Sequence, residues 1–189
     1  MKAETRKQEI VKTSAKLFKE KGYSAVTMRD LAQAMGIKAA SLYNHINSKQ
    51  EILSEIIISI AEKFTDGMEE IINSKESSSK KLQNIIELHV EITSNNSNGM
   101  ASLNNDWMHL EEKQEYYLQL RHNYEENFRN IIKNGVGNSE LKNIDVEVVL
   151  FSMLSTLRSL YLWIPKKEDI DKDKLAANLG EVLLNGINT

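Results

Sequence analysis

Two hydroxyl residues, each followed three positions later by a carboxylate, mark residues 27–53 as a series of short helices. In the pairs Thr27/Asp30 and Ser48/Glu51, the hydroxyl can accept a hydrogen bond from a free amide at a helix start. The carboxylate then faces the positive end of the same helix. We therefore predict that one helix begins at Thr27 and another at Ser48.

Between these two starts, Gly36 separates two helical patterns. Glycine tolerates the positive φ that ends a helix in a tight turn, so the first helix is predicted to end there. Residues 38–46 then form a second helix. Small residues on its leading edge and polar tips beside them would let this helix enter a DNA major groove: Ala39, Ala40, Ser41, Tyr43, Asn44 and His45.

Lys49 lies in the first turn of the helix that begins at Ser48. A cation is locally unfavourable at a helix N-terminus, but a phosphate opposite would be bound by Lys49 and by the free amides together. The alternative is a helical hairpin with a solvated lysine, which would be the better interpretation of Lys49 alone.

The charge of the chain is unevenly distributed. The net charge is -3, yet residues 1–49 hold ten Lys or Arg against four Asp or Glu, and residues 50–189 hold 14 against 23. A basic head on an acidic body is expected of a localised phosphate-binding surface.

Composition excludes several classes of protein. The chain has no cysteine, so disulfides and thiolate zinc sites are excluded, and its four histidines form no metal motif. The apolar runs are short, such as Ile56 to Ile58, and the N-terminal MKAETRKQEI has no apolar signal region, so we expect a cytoplasmic protein with no membrane partner. No catalytic motif is present and no cofactor is predicted.

Apolar residues recur at helical spacing along almost the whole chain, and its single proline favours long helices. The predicted helices cover residues 4–21, 27–36, 38–46, 48–73, 82–93, 100–109, 111–134, 145–164 and 173–185. The helix over 48–73 could transmit a tilt from body to head. The helix over 145–164 is apolar on most sides and is expected to be buried on most sides. His89 is expected to be a core or surface histidine.

The last two helices carry more apolar surface than one subunit needs. We expect a homodimer through residues 145–164 and 173–187, since a helix-turn-helix reader needs two heads about 34–36 Å apart to bind a palindrome. The alternative is that these helices only complete the core of the monomer.

Residues 8–53 resemble the DNA-binding domain of the tetracycline-repressor (TetR) family in one ungapped register. The matching residues are Ala15, Leu17, Phe18, Gly22, Tyr23, Thr27, Met28, Asp30, Leu31, Ala32, Gly36, Leu42, Tyr43, His45, Ser48, Lys49, Glu51 and Leu53. Lys38, Ala40 and Ile46 depart from the family pattern. The resemblance implies phosphate contacts by Thr27, Tyr43 and Lys49 and base reading by the third helix. The predicted DNA-binding residues are Thr27, Met28, Lys38, Ala39, Ala40, Ser41, Tyr43, Asn44, His45 and Lys49.

The body resembles a C-terminal domain of TetR regulators of fatty-acid, steroid and acyl-CoA catabolism. The matching residues are His89, Trp107, Glu111, Arg121, Tyr124, Glu125, Gly135, Asp145, Trp163, Pro165, Leu175, Leu184 and Gly186. This resemblance implies an effector pocket for an acyl-CoA or related molecule. An apolar lining with a basic group would be compatible with it: Met100, Trp107, Met108, Arg121, Tyr124, Met153, Leu157 and Tyr161. Arg129 or Arg158 could also bind a phosphate. The alternatives are that these arginines are paired with nearby glutamates, and that the apolar residues at helical spacing belong to the core.

The sequence thus predicts an all-α protein of about nine helices. A three-helix helix-turn-helix DNA-binding domain, residues 1–48, is joined by a long helix to a helical-bundle effector and dimerisation domain, residues 49–189. The predicted function is a repressor that binds operator DNA as a homodimer and is released by a hydrophobic effector. Two alternatives are a constitutive DNA-binding dimer without an effector and an all-helical enzyme.

Overall fold

The computed structural model describes residues 5–186, and these residues form nine α-helices and no strand. The prediction of an all-α fold is confirmed. The helices are α1 (Arg6–Lys21), α2 (Met28–Ala34), α3 (Ala39–Tyr43), α4 (Lys49–Asn73), α5 (Ser78–Asn95), α6 (Ser97–Asn105), α7 (Gln114–Gly137), α8 (Val146–Trp163) and α9 (Lys172–Gly180).

The described residues divide into two compact units. The first runs up to Ala61 and includes Asn98–Leu118, and the second contains Glu62–Ser97 and the chain from Gln119 onward. Helix α4 contributes residues to both units. The domain boundary at residue 48 stays a prediction.

The helices of the first unit begin where hydroxyl residues cap them. Thr27 accepts a hydrogen bond from the Asp30 amide, and the Asp30 carboxylate accepts one from the Thr27 amide, which confirms the predicted capping box. Thr5 forms a second box with Gln8 that the sequence analysis did not predict. The predicted start of α1 at residue 4 lies outside the described residues.

The turn between α2 and α3 forms at Gly36, whose φ is +65°. Helix α3 spans only Ala39–Tyr43, so it is shorter than the predicted 38–46. The backbone carbonyl of Lys38 accepts the first helical bond, but the lysine side chain forms no cap. Three large apolar residues anchor this part of the unit with 0 % exposure: Ile10, Leu31 and Leu42.

The predicted capping box at the start of α4 is half formed. Ser48 Oγ accepts a hydrogen bond from the Glu51 amide at 3.0 Å, as expected. The Glu51 carboxylate, however, accepts from the backbone and side-chain amides of Asn47, one residue earlier than predicted. Helix α4 then continues to Asn73, as predicted.

In the body, several predicted helix ends are wrong. The predicted helix 100–109 is α6, which ends at Asn105, followed by the 3₁₀ turns Trp107–His109 and Glu111–Lys113. Helix α7 does not end before Gly135 but continues to Gly137. A Cβ at position 135 would lie 2.6 Å from Leu141 Cδ1 and 2.8 Å from Ser78 Cβ, so this glycine allows close packing rather than ending the helix.

The core of the second unit is apolar except around His89. Helix α5 packs against α8 and α9, and Leu82, Ile85, Ile86, Phe128, Ile132 and Leu157 are 0–1 % exposed. The imidazole of His89 is also buried, between the rings of Phe64 and Tyr124, with its Nε2 3.0 Å from the Tyr124 hydroxyl. His89 is therefore a core histidine.

Helix α8 is not buried on most sides, contrary to the prediction. Val148, Phe151, Leu162 and Trp163 are 45–72 % exposed. The stretch Val146–Lys166 is also long and apolar enough to cross a membrane by length and composition alone, which the short apolar runs did not suggest. The small hydroxyl residues that interrupt those runs lower the average hydropathy only slightly.

We predict that His89 makes the protein sensitive to acid. Burial, together with the positive charge of Arg158, lowers the pKa of His89 from 6.5 to about 3. The folded protein keeps this imidazole neutral while the unfolded chain binds a proton below pH 6.5. This contribution to stability is therefore complete above pH 6.5 and is lost as the pH falls toward 3, by about 1.4 kcal/mol per pH unit.

Denaturant unfolding between pH 7 and pH 4 measures this effect. His89→Phe should flatten the pH dependence, whereas His122→Phe, at an exposed histidine on α7, should leave it as in the parent protein. An unchanged pH dependence in the His89 variant would show that other groups cause the acid sensitivity.

Candidate nucleic-acid interface

Helix α3 presents one buried residue to the core and its polar residues to solvent. Leu42 is 0 % exposed and Tyr43 is 52 % exposed. Ala39 is partly buried, and the other predicted contact residues of this segment are exposed: Lys38, Ala40, Ser41, Asn44 and His45. Within the described residues, their side chains form no hydrogen bond or ion pair with the protein, so their polar atoms can bind other molecules.

At the start of α2, the predicted phosphate contacts lie on the surface but are not equally available. Thr27 is exposed and Met28 is partly buried. The Thr27 hydroxyl donates to the Asp30 carboxylate at 2.6 Å, so its proton is already used in the capping box. These hydrogen bonds lower the pKa of the Asp30 carboxyl. Thr27 could offer a phosphate its hydroxyl only by releasing Asp30.

Lys49 is held in place by the backbone that precedes α2. Its ammonium donates to the carbonyl oxygens of Tyr23 and Val26, both at 2.8 Å, and lies 4.2 Å from the centre of the Tyr23 ring. Burial lowers the pKa of this ammonium. Both hydrogen-bond acceptors are neutral, and Lys49 has no carboxylate partner in the part of the chain that the structure describes. One of its three N–H groups therefore remains for a phosphate.

A second set of contacts surrounds the same tyrosine. The Tyr23 hydroxyl donates to Gln50 Oε1 at 2.7 Å, and Gln50 Nε2 donates to the carbonyl oxygen of His109 at 2.5 Å. The Tyr23 and His109 rings stack with centroids 5.3 Å apart. Burial raises the pKa of the Tyr23 hydroxyl, as do the nearby acids Glu111 and Asp106. Local sequence patterns could not identify these contacts, because the partners are 27 and 59 residues apart.

The cations of the head differ in their partners. Arg6 forms an ion pair with Glu9, and Lys7 forms ion pairs with Glu51 and Glu55, so carboxylates accompany both cations. Arg29 on α2 is exposed and forms no ion pair within the described residues. The sequence analysis missed Arg29, although it lies in the first turn of a helix, the same signal that identified Lys49.

The predicted effector residues fall in both units. In the first unit, Met100 is 1 % exposed, Met108 is 57 % exposed, and Trp107 is partly buried with its ring 6.0 Å from that of Tyr117. In the second unit, four predicted residues are core residues with 0–8 % exposure: Tyr124, Met153, Leu157 and Tyr161. Met153, Leu157 and Tyr161 share one face of α8, at intervals of four residues.

The arginines considered for an anionic effector group are paired with glutamates. Arg121 and Arg158 both bind Glu125 Oε1, at 3.1 and 2.5 Å. Arg129 binds Glu126 and Glu147. These ion pairs lower the pKa of the Glu125 and Glu147 carboxyls, although burial raises that of Glu125. The alternative considered from the sequence was that these arginines pair with nearby glutamates, and the structure shows such pairs.

A cleft of about 690 Å³ lies in the second unit, among residues of α4, α5 and α9. None of the eight predicted effector residues lines it. Its walls include Glu70, Glu87, Glu91 and Asp173, and the ammonium of Lys172 pairs with Glu91. Because carboxylates predominate, this cleft is unsuitable for an anionic ligand.

Comparisons with known protein families match both parts of the chain. A family model described as bacterial regulatory proteins, tetR family, matches residues 10–56. A second, described as tetracyclin repressor-like, C-terminal domain, matches residues 75–187. The first match contains α2, α3 and the start of α4, and the second contains α5 to α9.

Individual relatives agree with these matches. The chain is 26% identical over 185 residues to the HTH-type transcriptional repressor KstR2 of Rhodococcus jostii (strain RHA1), covering 96% of this chain and 91% of that protein. The TetR family regulator PfmR from Thermus thermophilus has a TM-score of 0.83 at 29% identity, over 95% of this chain and 99% of that one.

A more distant solved structure shares the fold alone. AibR in complex with isovaleryl coenzyme A and operator DNA has a TM-score of 0.78 at 18% identity, over 95% of this chain and 98% of that one.

One family model matches more than half of the chain and another matches its helix-turn-helix. The chain therefore belongs to the TetR family of bacterial transcriptional regulators.

Proposed function

We propose that this regulator is a cytoplasmic repressor that binds a palindromic operator as a homodimer and is released by an acyl-CoA or a related hydrophobic effector. The observation that carries the DNA-binding part is the exposed polar face of α3, whose side chains have no partners among the described residues. In the helix-turn-helix arrangement, such a face lies in the major groove.

The residues of the head divide into two roles under this proposal. Ser41, Asn44 and His45 read base edges, because their short polar tips project from a helix that Leu42 anchors. Lys38, Tyr43 and Lys49 bind phosphates and fix the register of α3 on the duplex. Lys49 is the best positioned of these, since two carbonyl oxygens already hold its charge in place.

The exposed face of α8 supports the proposed dimer. Val148 and Phe151 lie at its first turns, and Leu162 and Trp163 at its last. Between them, Ser152, Thr156 and Ser159 donate hydrogen bonds to carbonyl oxygens of their own helix. Burying this face would therefore leave these three hydroxyl protons with their acceptors. A homodimer through α8 and α9 would cover it.

The proposed effector class rests on relatives and on the body match. AibR was solved with an acyl-CoA and operator DNA, and residues 75–187 match a TetR C-terminal domain. The acidic cleft would repel the phosphates of coenzyme A, so we place the acyl part at the buried face of α8 that carries Met153, Leu157 and Tyr161. Release of DNA requires that the effector bind the DNA-free conformation more tightly than the DNA-bound one.

Operator binding with and without acyl-CoAs tests the whole proposal. We expect the protein to bind the DNA immediately upstream of its own gene and at least one acyl-CoA to weaken that binding. Tight binding that is indifferent to every acyl-CoA would indicate a constitutive regulator and contradict the effector class. Absence of DNA binding would contradict the repressor function.

The second prediction separates phosphate contacts from base contacts. Lys38→Ala should weaken binding to all DNA sequences and reduce the slope of log K against log salt by about 0.9, since one phosphate contact is lost. Ser41→Ala and Asn44→Ala should instead change sequence preference, by about 1–3 kcal/mol at the affected base pair. Fluorescence anisotropy at several salt concentrations, with operator and random duplexes, measures both quantities.

Lys142→Ala is the matched control, because Lys142 is an exposed lysine of the body. It removes the same charge but should leave the salt slope as it is. Equal slopes for the Lys38 and Lys142 variants would show that the proposed docking of α3 is wrong.

The third prediction concerns the dimer. Phe151 is 72 % exposed on α8 and should lie within the interface. Phe151→Glu should therefore yield a folded monomer. Operator binding should weaken, because a monomer has only one DNA-binding domain to contact the two half-sites. Leu118→Glu, at a 40 % exposed leucine on α7, should remain dimeric. Sedimentation velocity with a circular dichroism check measures assembly and folding, and a dimeric Phe151 variant would place the interface elsewhere.

A further inference from the structure

Two buried polar side chains on one face of α5 have polar atoms without hydrogen-bond partners. His89 is 3 % exposed and Thr93 is 0 % exposed, and they lie one turn apart. Among the described residues, neither His89 Nδ1 nor Thr93 Oγ1 has a partner. Burying a polar group without a hydrogen-bond partner lowers the stability of the fold, so two such groups on one face require an explanation.

The orphaned nitrogen of His89 does not depend on which tautomer is present. If the Tyr124 hydroxyl donates to Nε2, the imidazole proton is on Nδ1, which is then a donor without an acceptor. If Nε2 donates to the tyrosine oxygen, Nδ1 is an acceptor without a donor. Only the first tautomer, with the proton on Nδ1, can donate to a carbonyl oxygen, and the Phe64 and Tyr124 rings hold the imidazole in place.

Thr93 and its neighbour Ser94 have buried hydroxyls without a partner among the described residues, and in this they differ from three hydroxyls of α8. Ser152, Thr156 and Ser159, on the outer part of α8, all donate to carbonyl oxygens four residues earlier. Such a bond is the ordinary partner of a hydroxyl within a helix. Thr93 is more deeply buried than any of these, so a missing partner costs it more, yet it forms no such bond.

The surroundings favour an uncharged partner. Burial and the positive charge of Arg158 lower the pKa of His89 to about 3, so its imidazole is neutral near pH 7 and brings no charge to pair with an anion. The guanidinium of Arg158 already binds Glu125 at 2.5 Å. A carboxylate placed beside His89 would therefore be desolvated without a free cation to pair with it.

We propose that His89 Nδ1 and Thr93 Oγ1 form a subsite for one uncharged oxygen of the effector, the carbonyl oxygen of an acyl group. The subsite lies on α5, where His89 is beside Tyr124 of α7, and α5 packs against α8. This assignment rests on the proposed effector binding and narrows it. The protein selects an acyl thioester carbonyl and rejects a free carboxylate at this point.

Thr93→Val tests the assignment, because it removes the hydroxyl and nearly keeps the shape. Losing an unsatisfied buried hydroxyl should raise the melting temperature by roughly 2–4 °C. Thr156→Val, at a hydroxyl that has its acceptor, is the matched control and should give no such rise. A melting temperature that is unchanged or lower in the Thr93 variant would overturn the proposal, since the hydroxyl would then be satisfied.

Binding of octanoyl-coenzyme A and of S-octyl-coenzyme A, a thioether that lacks the carbonyl, gives the second readout. The parent protein should bind the thioester about 25-fold more tightly, as expected for two hydrogen bonds that contribute about five-fold each. Thr93→Val and His89→Phe should each reduce this ratio toward one. A ratio that stays the same in both variants would overturn the subsite even if both remain folded, because a purely structural role leaves the ratio unaltered.

The parent protein separates this failure from failure of the proposed function. If octanoyl-coenzyme A releases operator DNA but the variants keep the thioester preference, the effector class stands and the subsite is wrong. If butanoyl-, octanoyl- and hexadecanoyl-coenzyme A all fail to bind the parent protein, the acyl-CoA effector is wrong and the subsite fails with it. In that case, operator binding still reports on the repressor function.

Discussion

The arrangement of the first unit depends on one partly buried cation, the ammonium of Lys49. It binds the carbonyl oxygens of Tyr23 and Val26 and lies over the Tyr23 ring. These contacts join the start of α4 to the chain between α1 and α2. Because carbonyl oxygens carry only partial charge, they fix the lysine without neutralising it. Lys49 thereby links the start of α4 to the segment before α2 and keeps its positive charge, so replacing it should destabilise this part of the first unit.

Hydrogen bonds around Tyr23 also connect residues that are distant in sequence. Gln50 accepts a hydrogen bond from the Tyr23 hydroxyl and donates one to the carbonyl oxygen of His109. The His109 ring in turn stacks on the ring of Tyr23. The turn at His109 belongs to the first compact unit, although helices of the second unit precede and follow it in the chain. A change in the conformation of this turn would therefore alter the hydrogen bonds of Gln50 at the start of α4.

What could be predicted from the sequence follows the range of each interaction. Thr27 with Asp30 and the turn at Gly36 involve neighbours, so their residue types were enough. The partners of Lys49 lie 23 and 26 residues away, and no local pattern indicates them. The role of Gly135 was predicted wrongly, because the sequence does not distinguish a glycine required for close packing from one that ends a helix. For the effector region, burial of Met153 and Leu157 was predictable, but the orphaned atoms of His89 and Thr93 depend on tertiary neighbours.

The hydroxyls of α8 have a consequence for the newly synthesised chain. Ser152, Thr156 and Ser159 donate to carbonyl oxygens of their own helix, so these three hydroxyls of the outer face keep their hydrogen bonds whether that face is wet or dry. Water can cover it at no loss of internal hydrogen bonds, and a second surface can cover it equally well. The newly synthesised chain therefore has a less apolar outer face on this helix than an all-leucine helix would present. Small hydroxyl residues at these positions lower the contiguous apolar area that the face offers to other chains.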